Sequence, residues 1–177
     1  MSEMFDALDA VFENVSVFFN KELQKKIRIT KIDPNALNSW KETWKEVNDR
    51  KPPNGGWDWA YKTSEARKKY TKYLIGIAVW DEGNSLCGLA LCSKSKGNEV
   101  LSIHYIEGAP DKNHSLKGYV FKIINTILLE YGCLIKANKI RIMQPVDGLK
   151  DFYCSCGYVL NRKRLFGQEF CERGILK

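Results

Sequence analysis

The stretch that decides the fold is Val100–Ala137, which reads VLSIHYIEGAPDKNHSLKGYVFKIINTILLEYGCLIKA. At its beginning, large apolar residues occupy every second position, so we predict a strand with Leu101, Ile103 and Tyr105 on one face. A polar turn follows, and then apolar residues recur at helical spacing. Backbone N–H groups in a glycine-bearing loop that enters a helix attract negative charge. The ligand expected at this loop is therefore an anion such as phosphate.

Length and composition indicate one globular domain. The chain has 177 residues, of which 44% are hydrophobic, which suffices for a single core. We assign residues 25–177 to this domain and residues 1–24 to an N-terminal helical extension. No apolar run approaches the roughly 20 residues of a membrane span, and the first residues do not resemble a signal peptide. We therefore expect a cytoplasmic protein with no membrane partner.

The six cysteines are expected to be reduced thiols, because the chain has no export signal. The pair in Cys154-Ser-Cys156 lacks the two-residue spacer and the second ligand pair of a zinc site. We expect no metal ion.

The net charge of +7 is distributed unevenly along the chain. Residues 1–24 contain five acids and one base, a net charge of −4, which leaves +11 on the remainder. A basic body attracts anionic partners, and the candidates are acyl-CoA phosphates, nucleic acid and an acidic protein surface.

The N-terminal segment has apolar residues at three- and four-residue steps from Phe5 to Phe19, with acids between them. This spacing predicts an amphipathic helix. The helix is expected to pack on the sheet of its own domain, and the alternatives are a homodimer contact or docking on a partner.

The other elements follow from alternation, short apolar runs and turn residues. Further strands are predicted at residues 27–32, 73–80, 86–92, 139–143, 158–160 and 165–171. Helices are predicted from Pro34 to about Val47, from about Asp58 to Tyr70, and over 149–156, the first with Asp33 as its N-cap. The strands on either side of the central helix are expected to be parallel, so the sheet is mixed.

This element order resembles the GNAT superfamily of acyl-CoA-dependent N-acetyltransferases over about residues 26–171. Three motifs carry the resemblance. Leu86-Cys-Gly-Leu-Ala90 matches the third strand of the family, and Ser115-Leu-Lys-Gly-Tyr-Val120 lies where its pyrophosphate-binding signature Gln/Arg-x-x-Gly-x-Gly/Ala belongs. Phe152-Tyr-Cys-Ser-Cys-Gly-Tyr158 matches Phe-Tyr-x-x-x-Gly-Phe/Tyr.

Two positions depart from the loop signature. Ser115 replaces Gln or Arg, and Val120 replaces the final Gly or Ala, so only Lys117-Gly118 is kept. Main-chain N–H groups can still bind a pyrophosphate, although Val120 permits a less close approach than Gly does. The Glu-Gly-x-Pro and His-x-Leu-Lys-Gly elements within 107–118 also resemble an uncharacterised bacterial branch of these enzymes.

The resemblance implies an α+β fold of the three-layer type, a mixed and mostly antiparallel sheet flanked by helices, with the N-terminal amphipathic helix added. It implies that the fourth strand diverges from the fifth at a bulge. It also implies acetyl-CoA as co-substrate. The residues expected to bind it are Tyr105, Ile106, Ser115, Leu116, Lys117, Gly118, Tyr119 and Val120.

Acetyl transfer to an amine needs a base for the amine and a proton for the departing thiolate. The resemblance assigns Glu107, at the end of the fourth strand, as the base and Tyr153 as the acid. His104 and His114 are the alternative bases, although His104 also suits a core position and His114 suits a phosphate contact. For Tyr153 the alternative role is core packing, which Phe152 could supply by itself.

The acceptor is expected between residues 52–61 and the last hairpin. Trp57 and Trp59 would form apolar walls, and Asp58 would hold a cationic amine. For the two tryptophans the alternative is an anchored loop.

Three functions are compatible with these features. The first is N-acetylation of a small molecule, an amino acid or a protein amine. The second is acetylation of an RNA-borne amine, as on aminoacyl-tRNA, supported by the basic body and Arg162-Lys-Arg164. The third is a non-catalytic binding protein with a relic loop, suggested by Ser115 and Val120.

Overall fold

A computed structural model describes residues 2–162 and 168–176. The helices are α1 (Ser2–Leu23), α2 (Pro34–Thr43), α3 (Trp59–Tyr70), α4 (Val120–Leu134) and α5 (Lys150–Ser155). The strands are β1 (Arg28–Thr30), β2 (Leu74–Trp80), β3 (Leu86–Lys94), β4 (Val100–Gly108), β5 (Lys139–Met143), β6 (Val159–Arg162) and β7 (Glu169–Gly174). Two predicted features lie partly outside the described residues, namely the basic turn 161–164 and the strand 165–171.

The strands form one seven-stranded sheet in the order β1-β2-β3-β4-β5-β7-β6. β4 and β5 pair in parallel through the α4 crossover, while the other described pairs are antiparallel. The predicted mixed, mostly antiparallel sheet is therefore confirmed.

Helices cover both faces of this sheet, and each face has its own apolar cluster. The cluster on one face joins buried residues of α1 and α4, including Val15, Phe19 and Ile127, to the strands. The cluster on the other face joins α2 and α3 through Trp40 and Trp59. Because α1 packs on α4 and β1, the predicted packing of the amphipathic helix within its own domain is confirmed.

A β-bulge in β4 reverses the faces of the residues that follow it. Leu91 is opposite Tyr105 and Cys92 is opposite Ile103, which leaves His104 as the extra residue. Ile103 belongs to the cluster with α4, whereas Tyr105 packs against the cluster with α2 and α3. The bulge implied by the resemblance is therefore present, and the predicted common face of Ile103 and Tyr105 is wrong.

β4 also runs two residues beyond the predicted end at Ile106. Glu107 and Gly108 pair with Leu89 and Gly88 of β3, so Glu107 lies within the strand and is 3% exposed. The first helix after β1 is shorter than predicted, since α2 ends at Thr43 with Trp44 as its C-cap. Its predicted start is confirmed, because Asp33 caps it and Pro34 is the first residue.

The described residues include neither a membrane-spanning helix nor a cluster of metal ligands. Within 2–162 and 168–176, no helix is long and apolar enough to cross a membrane. The same residues contain no group of three or more ligating side chains arranged to hold a metal ion.

Candidate active site

A cavity opens where β4 separates from β5. The parallel pairing ends at Ile103 and Ile142, whereas β4 continues to Gly108. Residues 104–108 therefore have no described strand partner on the β5 side, and a cavity of about 510 Å³ occupies the gap. Its lining includes Arg50, Trp57, Tyr105, Glu107, Met143 and Tyr153.

A second cavity of about 470 Å³ lies between the loop before α4 and the start of α5. Its lining includes His114, Lys117, Gly118, Phe121, Phe152 and Tyr153. The two cavities share Arg50, the β4 residues 106–108, Leu149 and Tyr153. They therefore meet at the end of β4, where Glu107 and Tyr153 lie.

Four donors surround the Glu107 carboxylate. Its Oε1 accepts from the Asn48 side chain at 2.8 Å and the Gly56 N–H at 2.7 Å, and Arg50 Nη2 lies 3.0 Å away. Its Oε2 accepts from the Trp59 indole N–H at 2.7 Å. Each carboxylate oxygen has about two lone pairs, and Oε2 accepts only the Trp59 bond among the described residues, so one lone pair remains on Oε2. This is a buried, hydrogen-bonded anion.

Two glycines allow the loop after α2 to close around this carboxylate. Gly56 has a φ of +69°, and a Cβ there would lie 2.0 Å from the Arg50 carbonyl oxygen. Gly55 has a φ of +112°, and its Cβ would lie 2.9 Å from Glu107 Oε1. Only glycine fits both positions, because other residues rarely adopt such dihedrals and would collide.

Arg50 connects the same loop to β4. Its Nη2 donates to the Gly108 carbonyl at 2.8 Å and its Nε donates to the Asn48 side chain at 2.9 Å. The side chain lines both cavities. Neither Asn48 nor Arg50 was a predicted site residue, and the only local signal of this cluster is the adjacent Gly55-Gly56 pair before Trp57.

The three predicted acceptor residues have different positions. Trp57 lines the first cavity and packs edge-to-face on Tyr105 at 5.0 Å between ring centroids. Trp59 is 0% exposed and does not line that cavity. Asp58 caps α3 by accepting from the Tyr61 N–H at 2.9 Å. Trp57 alone of the three therefore lines the first cavity, while Trp59 is buried and Asp58 caps a helix.

The loop before α4 has the features of an anion site. Ser115 donates to Asp81 at 2.9 Å, Leu116 is buried, and Lys117 and Gly118 are exposed. Gly118 has a φ of +81° and open space where a Cβ would lie, and α4 begins at Val120 without a side-chain cap. The first N–H groups of a helix have no intrahelical acceptor, so they are available to a phosphate.

The Val120 side chain is accommodated by a glycine on β3. Val120 is 7% exposed, and a Cβ on Gly88 would lie 2.5 Å from its Cγ1. The valine that departs from the loop signature therefore packs into space that Gly88 leaves free. Tyr119 precedes it, with its N–H donating to the Leu116 carbonyl at 3.0 Å.

The two histidines have different environments. His104 stacks on Tyr70, contacts its hydroxyl at 3.3 Å through Nδ1, and contacts the Ser93 hydroxyl at 2.8 Å through Nε2. Burial, with Lys69 nearby, lowers the pKa of His104 to about 4. His114 lines the second cavity, and burial lowers its pKa as well. Its Nδ1 is buried with no partner among the described residues.

Tyr153 lies where the cavities meet and is 4% exposed. Its ring packs beside Phe121, Phe152 and Tyr158, and its hydroxyl has no hydrogen-bond partner within the described residues. Burial raises its pKa to about 12, so the phenol is protonated at neutral pH. Phe152 is 39% exposed, so Tyr153 rather than Phe152 fills the core.

Comparison with known proteins identifies the fold. No family model matches the sequence, and no curated protein matches it. Among solved structures, a GNAT-family acetyltransferase from Staphylococcus aureus is 12% identical with a TM-score of 0.60, covering 85% of this chain and 99% of that one. The ribosomal-protein-S18-alanine N-acetyltransferase from Escherichia coli is 12% identical with a TM-score of 0.58, covering 85% and 95%.

A spermidine N-acetyltransferase chimera from Vibrio cholerae and hSSAT is 17% identical, with a TM-score of 0.58 and coverage of 85% and 95%. All three are similar to this chain over most of its length. The chain therefore has the GNAT fold, as its sequence motifs predicted.

Proposed function

We propose that this GNAT-fold protein is an N-acetyltransferase that transfers an acetyl group from acetyl-CoA to a primary amine of a small molecule, an amino acid or a protein. The observation that carries the proposal is the position of Tyr153. Its protonated, unpartnered phenol lies between a cavity that begins at an uncapped helix N-terminus and a cavity between separated strands.

The second cavity suits acetyl-CoA. The N–H groups of Gly118 and of the first turn of α4 would hold the pyrophosphate, with Lys117 adding positive charge. Backbone groups of Tyr105 and Ile106 on the open side of β4 would hold the pantetheine. Leu116 and Tyr119 shape the loop, and Ser115 anchors it to Asp81. Bound acetyl-CoA supplies a thioester whose carbonyl carbon accepts the amine.

The first cavity suits the acceptor amine. Trp57 and Tyr105 form an aromatic wall, and Glu107 lies at the inner end. The remaining lone pair of Glu107 Oε2 would accept the amine proton, directly or through one water molecule. The C–N bond forms as the C–S bond breaks, and the Tyr153 hydroxyl gives its proton to the departing thiolate.

The test is release of free thiol from acetyl-CoA in the presence of a panel of amines that includes spermidine, single amino acids and an alanine-initiated peptide. Tyr153→Phe is expected to lower kcat about 100-fold, the usual contribution of a general acid. Tyr158→Phe is the matched control, because that phenol binds Asn125 at 2.7 Å and lines neither cavity. Equal rates for Tyr153→Phe and the wild type would contradict the assignment.

A second candidate is acetylation of an amine carried by RNA. The observation that favours it is the exposed basic last turn of α3, Arg67-Lys68-Lys69, on the helix that follows Trp57. Binding of tRNA should then weaken steeply between low and moderate salt, because phosphate contacts release counterions. Failure to retain tRNA at low salt would remove this candidate and leave the first one intact.

A further inference from the structure

A third cavity has a volume of about 260 Å³. It is found where β2 begins and β3 ends, and Lys94 lines it. Its lining includes Leu91, the strand partner of Tyr105, but it shares no lining residue with the two cavities of the candidate active site. The third cavity is therefore distinct from the other two.

The lining of this cavity is cationic. Lys31, Arg67, Lys72 and Lys94 line it, and no aspartate or glutamate is among the described lining residues. Asp9 pairs with Lys31 at 2.7 Å, but Asp9 is not part of the lining. Lys94 is 9% exposed, and burial together with the charge of Lys72 lowers its pKa. The Lys94 ammonium also donates to the Asn98 side chain at 2.7 Å, whereas Lys72 is exposed, so the lining combines one buried and one exposed lysine.

A buried hydroxyl in the same lining has no partner. Thr63 is 1% exposed, and its Oγ1 makes no hydrogen bond to any described residue. Buried hydroxyls in folded proteins are nearly always hydrogen-bonded, and an unsatisfied one costs free energy. A ligand oxygen within the cavity would accept this hydrogen bond.

We propose that this cavity is a binding site for a small oxyanion, inorganic phosphate or the phosphate group of a small metabolite. Lys72 and Lys94 supply the charge, Arg67 adds a guanidinium at the rim, and the Thr63 hydroxyl donates to an anion oxygen. Charge-assisted hydrogen bonds of this kind are the strongest that a protein offers to a phosphate. The anion also removes the repulsion between the two lysines. The proposal does not depend on acetyl transfer.

The test is calorimetric titration with inorganic phosphate at low salt. A dissociation constant of about 0.1–1 mM is expected for the wild type. The double variant Lys72→Gln/Lys94→Met should weaken binding at least about tenfold, and Thr63→Val should weaken it about threefold or more. Thr63→Val removes an unsatisfied group, so it is expected to fold, and circular dichroism verifies this for each variant.

Two controls separate this site from general attraction to a basic surface. Lys68→Gln removes an exposed charge next to Arg67 that does not line the cavity, and Lys117→Gln removes the charge of the loop before α4. Neither should change binding at this cavity by more than about twofold. Any of three results would overturn the proposal. These are loss of phosphate binding only in Lys117→Gln, an equal loss in Lys68→Gln, and binding of RNA but not of free phosphate.

Discussion

The indole N–H of Trp59 donates a 2.7 Å hydrogen bond to Oε2 of Glu107, and both side chains are buried. The bond joins the first residue of α3 to the end of β4 across the sheet surface. It fixes one carboxylate oxygen, while Asn48, Arg50 and Gly56 fix the other. Glu107 is therefore both a proposed base and the anchor of the loop that lines the acceptor cavity.

Glu107→Gln is expected to destabilise the protein as well as slow any transfer. All of the groups around the carboxylate are donors, so the glutamine amide would place its own donor against one of them. The free energy of unfolding should fall by about 3 kcal/mol, as for a broken buried pair. Urea denaturation measures this loss.

Glu65→Gln is the matched control, because Glu65 is an exposed carboxylate that meets Lys62 and Tyr61 at the surface. Its effect should be within about 0.5 kcal/mol. Equal stability of Glu107→Gln and wild type would show that the four donors do not depend on a carboxylate.

Gly88 and Val120 are expected to act as a pair. Gly88→Ala would place a methyl group 2.5 Å from Val120 Cγ1, and overpacking of this kind costs about 1–3 kcal/mol. Adding Val120→Ala should restore most of the lost stability in the double variant, because the colliding methyl groups are gone. Thermal unfolding of the two single variants and the double variant measures this coupling. Additive losses would contradict the packing described for the loop.

His104 is expected to make stability depend on pH. Its pKa is about 4 in the folded protein, against an ordinary value of 6.5, so the unfolded chain takes up the proton first. The contribution of neutral His104 to the free energy of unfolding is therefore complete above pH 6.5 and is lost as the pH falls towards 4. The wild type should lose on the order of 2 kcal/mol more than His104→Gln over this interval. Parallel losses in both proteins would contradict a buried neutral His104.

Most of the fold could be predicted from the sequence, because local patterns report local structure. The start of α2 follows from Asp33-Pro34, and the parallel β4–β5 pair follows from the strand–helix–strand order. The side of the sheet on which each β4 side chain lies could not be predicted from the alternation of residue types. The bulge at His104 leaves the residue types unchanged while reversing the side on which Tyr105 lies.

The site was harder to predict, because its contacts join distant parts of the chain. Glu107 resembles a solvated residue at a strand end, yet its donors come from residues 48–59, about fifty positions earlier. The burial of Trp59 could not be predicted for the same reason, since a tryptophan at the start of a helix gives no sign of whether its ring faces a ligand or the core. Tyr153 could be proposed as a site residue because the motif that contains it resembles a known family.

The most direct test of the central claim is calorimetric titration of the protein with acetyl-CoA. We expect one site per chain and a dissociation constant in the range of about 1–100 μM. Val120→Ala, which widens the start of α4, should bind at least as tightly as the wild type. Absence of acetyl-CoA binding at millimolar concentration would contradict acetyl transfer. The chain would then be a GNAT-fold protein with another ligand.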